Sequence, residues 1–215
     1  MIGAGKMMLK QQSEEITLGK ARFRNSGTGT SMDVYVKTST GYASSKDWNG
    51  TIHAGSSGTG DPDAEIQISF MVDSNPCDVY IWSSQSGSSV LDGSLTSINC
   101  SNESLIEIDV STCENLSNLD CSYNAITSLD VSGIVFNTLN SSFCSNLTAI
   151  TAVNASFSSS ANIESCDLGT SALDSFFTDL ANGVGTINVE KDPGANMCDP
   201  NIAHNKGYTV TGIPN

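Results

Sequence analysis

Cysteine, histidine and carboxylate side chains are where chemistry would begin in this chain. It has seven cysteines: Cys77, Cys100, Cys113, Cys121, Cys144, Cys166 and Cys198. No two stand as C-x-x-C, and the two histidines, His53 and His204, are far apart, so no zinc-site spacing is present. An odd count argues against a disulfide framework. Cys100 and Cys121 fall at matching places of a repeat and read as small buried hydrophobes. His53 lies in T-I-H-A without an evident partner, and His204 falls on a short, exposed helix. Asp61, Asp63 and Glu65 cluster in a turn, but not at the spacing of a calcium loop, so a solvated turn is the better reading. There is no G-x-S-x-G, no H-E-x-x-H and no phosphate-binding loop. No catalytic residue, metal or cofactor is expected, and the chain reads as a non-enzyme.

Charge narrows the partners. The net charge is -14 over 215 residues. Seven of the nine basic residues precede Trp48: Lys6, Lys10, Lys20, Arg22, Arg24, Lys37 and Lys46. None lies within 47–190, where eighteen acids do. Nucleic acid and anionic membranes need Lys or Arg, so that span should bind neither. No apolar run approaches 18 residues, so no transmembrane helix is expected. The N-terminus does not read as a secretory signal, because its apolar stretch is short and Lys10 to Glu15 follows at once.

The element that must position any site is a repeat. Residues 116–131 read L-x-x-L-x-C-x-x-N-x-I followed by L-x-V. Leu119 and Cys121 are two apart and share one face of a short strand. Asn124 closes that strand with an amide that can bond free backbone groups. Shifted back by 21 residues, Leu95, Ile98, Cys100, Leu105, Ile108 and Val110 fall in register, with Glu103 at the asparagine place. Shifted forward, Phe136 and Leu139 continue the strand and Cys144 takes the asparagine place. After Ile150 the pattern weakens: Val153, Ala155 and Phe157 alternate, 158–162 reads as a loop, and Ile163 and Leu168 suggest a degenerate coil. Residues 171–183 then read as a helix with Ser171 as N-cap, Leu173, Phe176, Phe177 and Leu180 inward, and Gly183 as its stop. Ile187 and Val189 restart the strand, with Asp192 at the asparagine place. Asp199, Pro200 and Gly207 punctuate a second short helix.

The repeat resembles the leucine-rich-repeat family, and the ending over about 95–213 is similar to repeat domains of bacteriophage structural proteins and bacterial surface proteins. The fold expected is mainly β with a few short helices: a small N-terminal β-sandwich or barrel, then a short leucine-rich-repeat solenoid. The expected divisions are 1–15, an arm or tail; 16–89, an all-β domain with a flexible joint at 83–89; and 90–215, the solenoid. In the β domain, 32–38, 65–72 and 78–82 alternate clearly, 16–24 and 51–54 less so, and 25–29, 49–50, 55–62 and 73–76 are turns.

Outward strand positions give the candidate binding face: Ser97, Asn99, Asn118, Asp120, Thr138, Asn140, Thr186 and Asn188. Tyr123 and Phe143, at the strand-end turns, are the candidate exposed anchors. The resemblance implies a virion component that attaches by its β domain and contacts other virion proteins or a host surface protein or glycan, oligomeric within the assembly. The same features fit a bacterial surface or secreted adhesin whose leader is absent here.

Overall fold

The computed structural model of the protein describes residues 20–26, 31–46, 52–71, 77–84 and 94–213. The expected arm at 1–15, the turns at 49–50 and 73–76, and most of the turn at 25–29 and of the joint at 83–89 lie outside the described residues. The chain is mainly β. Its N-terminal strands are β1 (Lys20–Asn25), β2 (Ser31–Thr38), β3 (Tyr42–Lys46), β4 (Ile52–Gly58), β5 (Ile66–Met71) and β6 (Cys77–Ser83). The second part contributes β7 (Leu95–Asn99), β8 (Leu105–Asp109), β9 (Asn118–Asp120), β10 (Ser128–Asp130), β11 (Val135–Asn140), β12 (Ala149–Thr151) and β13 (Ser156–Asn162). It ends with helix α1 (Thr170–Asp179), β14 (Thr186–Asn188), helix α2 (Pro200–His204) and β15 (Thr209–Thr211).

Period-two patterning accounts for β2 and β5. Met32, Val34 and Val36 are buried between half-buried Asp33, Tyr35 and Lys37, and Ile66, Ile68 and Phe70 between exposed Gln67 and Ser69. Strand β3 has no such signal. Ala43, Ser44 and Ser45 are poor strand formers, yet β3 is held between β4 and β6 and all three are buried. Pairing on both sides decides there, not propensity. Strand β4 likewise runs to Gly58, into the stretch read as a turn.

Among the described residues the strands form three sheets, none closed on itself, so the barrel alternative is not formed. Five strands run in the order β4-β3-β6-β1-β8, eight in the order β15-β14-β13-β11-β9-β7-β2-β5, and β10 pairs with β12. From β7 to β15 the eight-stranded sheet is parallel, with Ile98, Leu119, Leu139, Ala161, Ile187 and Val210 in successive register. Of these only Val210 is not fully buried. The 21-residue offset of the sequence pattern is the step from Ile98 to Leu119, and the later rungs step by 20 to 26 residues.

Both large sheets cross the boundary expected at 89/90. Strand β2 pairs antiparallel with β7, and β1 with β8. Ser26 N–H donates to Ser104 O at 3.0 Å, and Asn25 Nδ2 donates to Glu103 O at 2.7 Å. Ser83 and Ser84, the start of the expected joint, are buried beside β3. One hydrophobic core runs from Ala21 to Tyr208.

Three further expectations are corrected. Residues 158–162 belong to strand β13, not a loop: Ala161 is buried and β11 and β14 pair on either side. Helix α1 begins after Gly169, whose carbonyl accepts from the Ala172 and Leu173 N–H groups, so Ser171 is not the cap. Gly183 lies beyond the helix, which ends at Asp179 with Leu180 as its C-cap. Its role is space, since a Cβ there would stand 2.2 Å from the Tyr208 hydroxyl. Asp199 does cap α2, accepting from Asn201 N–H at 3.0 Å.

Candidate functional site

The parallel register gathers the expected strand-face residues into two rows. One is Ser97, Asn118, Thr138, Ser160, Thr186 and Thr209; the other is Asn99, Asp120, Asn140, Asn162, Asn188 and Thr211. All eight expected residues stand on one sheet face. The loop-like pattern of 158–162 hides Ser160 and Asn162, whereas 208–211 reads as the last strand and Thr209 and Thr211 alternate outward on it.

The second row is not a set of free groups. Each carboxylate or amide oxygen accepts the backbone N–H two residues on: Ser101 to Asn99 at 3.1 Å, Ser122 to Asp120 at 3.0 Å, Ser142 to Asn140 at 3.2 Å, and Glu190 to Asn188 at 3.1 Å. These Asx turns end each strand. Rungs are also tied together: Asn140 Nδ2 donates to Asp120 Oδ2 at 3.0 Å, and Asn188 Nδ2 to Asn162 Oδ1 at 3.0 Å.

The asparagine place forms a third, inward row: Glu103, Asn124, Cys144, Cys166 and Asp192. Asn124 Oδ1 accepts the N–H groups of Glu103 and Leu105, and its Nδ2 donates to the carbonyls of Cys100 and Cys121, each at 2.9 to 3.1 Å. Asp192 Oδ1 accepts the Cys166 N–H at 3.0 Å in the same manner. Cys144 Sγ donates to Cys121 O at 3.3 Å. Glu103 reaches further and accepts the Asp33 N–H of β2 at 3.0 Å, which explains why the first rung carries the longer acid.

Reactivity is suppressed along this row and beside it. Burial drives the Cys100 and Cys121 thiols well above the ordinary thiol range, and lifts Cys113 and Cys166 to about 12. Such groups stay protonated and are poor nucleophiles. Burial also raises the Asp192 carboxyl to about 7, helped by the charges of Asp167 and Glu164 and opposed by backbone N–H donors.

One residue outward from the inward row, every rung turns through positive φ: Asn102 at 60°, Tyr123 at 57°, Phe143 at 59°, Ser165 at 57° and Lys191 at 66°. Backbone bonds hold the row in place, as in Tyr123 N–H to Ser142 O at 3.0 Å and Phe143 N–H to Glu164 O at 2.9 Å. Asparagine tolerates this conformation; bulky aromatics do so poorly. Tyr123 is 56% exposed and Phe143 37%, and their rings stack with centroids 4.6 Å apart and planes within 8°. Left-handed backbone costs about 1–2 kcal/mol per residue. A stacked pair returns about 0.5–1.5 kcal/mol. Stacking therefore does not offset the backbone cost of placing both rings here.

The other candidates do not converge on this site. His204 is exposed on α2. His53 lies on β4, and its side chain is outside the described part. Asp61 Oδ1 accepts the Asp63 N–H in an exposed turn. The basic strand residues are partly engaged: Arg22 pairs with Glu107 and with Asp78, and Lys20 and Lys46 lie over the Trp82 and Tyr80 rings. Among the described residues no cluster of three His, Cys, Asp or Glu is placed to hold a metal. No helix there is long and apolar enough to cross a membrane. No protein-family model, curated protein or solved structure matches the chain.

Proposed function

We propose that the protein is a non-enzymatic structural and binding protein, a component of a bacteriophage virion serving as a decoration, fibre or tail-associated element. In this reading the coils from Leu95 onward are turns of a leucine-rich-repeat solenoid. The N-terminal strands form a small sandwich that fixes the chain to the particle. The ladder then presents its polar rows and strand-end aromatics to a host surface protein or glycan, or to neighbouring virion proteins.

The observation that carries the reading is the Tyr123–Phe143 pair. Two exposed, stacked rings sit where their backbone is unfavourable, on a scaffold whose thiols are buried and unreactive. Exposed aromatics on a rigid frame are contact elements. The continuity of both sheets into the N-terminal strands supports a rigid mount for such a display.

Mass spectrometry of purified virions tests the particle assignment. Peptides of this chain should co-purify with the particle in fixed ratio to its major protein. Virions without them would sink the assignment.

A further inference from the structure

We infer that the Tyr123–Phe143 stack is a platform for a neutral glycan, a pyranose ring extending the stack across an outer ring face. The inference rests on reading the ladder edge as a binding surface, and does not need the particle assignment.

The rungs run in the order Asn102, Tyr123, Phe143, Ser165. Within the pair, Tyr123 and Phe143 cover one face of each other. The next rung on either side carries a short polar side chain, Asn102 or Ser165, so no further ring occupies the outer face. Rungs repeat at about 4.8 Å, close to the 4.6 Å between the two rings. A pyranose lying with its C–H face on the outer ring, one rung further out, would continue the same stack.

The surroundings select the ligand. The adjoining rungs carry Asn102 and Ser165, and exposed Ser104 and Ser145 follow the turns; the Ser101, Ser122 and Ser142 hydroxyls are already given to Asn99, Asp120 and Asn140. The carboxylates nearest in the rows each hold a partner: Asp120 accepts from Ser122 and Asn140, Glu103 from the Asp33 N–H, and Glu164 from Asn188 Nδ2 at 2.7 Å. No Lys or Arg lies within 47–190, and Lys191, two rungs beyond Phe143 in the same row, pairs with Glu190, so the rungs that carry the rings supply no cation for a phosphate or an acidic sugar. A pyranose offers an apolar C–H face to the ring and hydroxyls to these neutral donors and acceptors. A cationic peptide would want free carboxylates beside the rings, and a nucleic acid would want Lys or Arg for its phosphates.

Saturation-transfer NMR on the full chain tests this with maltotriose, chitotriose, mannotriose and galactotriose as probes, beside hyaluronate fragments and an Arg/Lys-rich peptide. At least one neutral trisaccharide should receive saturation at its ring C–H protons. That binding should persist from low to high salt. In the Tyr123→Asn, Phe143→Asn double variant it should fall about tenfold, while the melting midpoint stays level or rises, since asparagine suits the backbone. Any of these results overturns the inference: no neutral probe binds; binding is unchanged in the double variant; or only the basic peptide binds and salt releases it. A lowered midpoint in the variant also overturns it, because the pair would then be packing. Virions lacking the chain would end the particle assignment and leave a ring-dependent sugar signal intact.

Discussion

At the scale of single residues, Asn124 and Asp192 are the same solution with different protons. Both sit at the end of a strand and accept backbone N–H groups of the preceding rung. Asn124 also donates, through Nδ2, to two carbonyls. Asp192 can donate only when protonated, and its Oδ2 is buried with no hydrogen-bond partner. The groups facing it are Asp167, Glu164, Cys166 and Cys198, none of them cationic. Its folded carboxyl is raised to about 7, above the ordinary value of 3.8. The linkage therefore runs opposite to that of a salt-bridged acid. The stabilising contribution is fully present below about pH 4 and is lost as pH rises through 7. The loss is on the order of a few kcal/mol, since each pH unit between the two values carries about 1.4 kcal/mol. Asp192→Asn should restore the missing donor, flatten the stability profile between pH 4 and 8, and raise the urea midpoint at pH 8. A mutant whose pH profile matches that of the wild type would show that Asp192 is already ionised at no cost. The reciprocal change, Asn124→Asp, should import the same pH dependence into the middle of the ladder.

At the scale of elements, the rung is the unit, and each rung depends on one inward apolar residue and one turn-closing polar one. Leu119 is buried between Ile98 and Leu139. Leu119→Asp buries an unpaired carboxylate and should leave no cooperative melt by circular dichroism. Asp120, its outward neighbour, is not a bystander: it accepts from the Ser122 N–H, the Ser122 hydroxyl and Asn140 Nδ2. Asp120→Ala should therefore lower stability by about 1 kcal/mol as well as altering the face, which chemical denaturation would read. Gly183 ties the last elements together, because Tyr208 fills its space while its hydroxyl donates to Ala181 O and accepts from the Phe157 N–H. Much of this was legible. The repeat offset exposed the rungs through Ile98 and Leu119, and the asparagine place revealed the role of Asp192. The rest was not, for physical reasons. Ala161 and Ala43 carry almost no strand signal, and neighbouring strands impose their conformation. The Tyr123–Phe143 stack joins residues twenty apart, and only the register brings them face to face. Positive φ at those rings is a demand of the turn, which the side chains themselves oppose.

At the scale of the whole molecule, the question is whether the sequence boundary near residue 90 is also a boundary in energy. The strand pairs β2–β7 and β1–β8 run across it. So do side-chain contacts: the Thr112 hydroxyl donates to Lys20 O at 2.9 Å and accepts the Lys20 N–H at 3.2 Å, and Arg22 pairs with Glu107. Phe23, Val36, Ile98 and Leu105 are fully buried where the two parts meet. Burying a side chain of this size stabilises by roughly 1.5–3 kcal/mol. Those four alone amount to a large part of a domain's usual net stability of about 5–15 kcal/mol. Neither part should therefore persist when the other unfolds. Both tryptophans, Trp48 and Trp82, lie in the N-terminal part, so their fluorescence reports that part while far-ultraviolet circular dichroism reports the entire chain. In urea the two signals should trace one coincident transition. A fragment beginning at Ser94 would bare the β7 and β8 edges together with Ile98 and Leu105, and should aggregate or unfold rather than melt as the intact chain does. Two separated transitions, with the fluorescence change first and an unchanged ladder signal, would make the joint a true domain boundary and the shared sheets energetically minor.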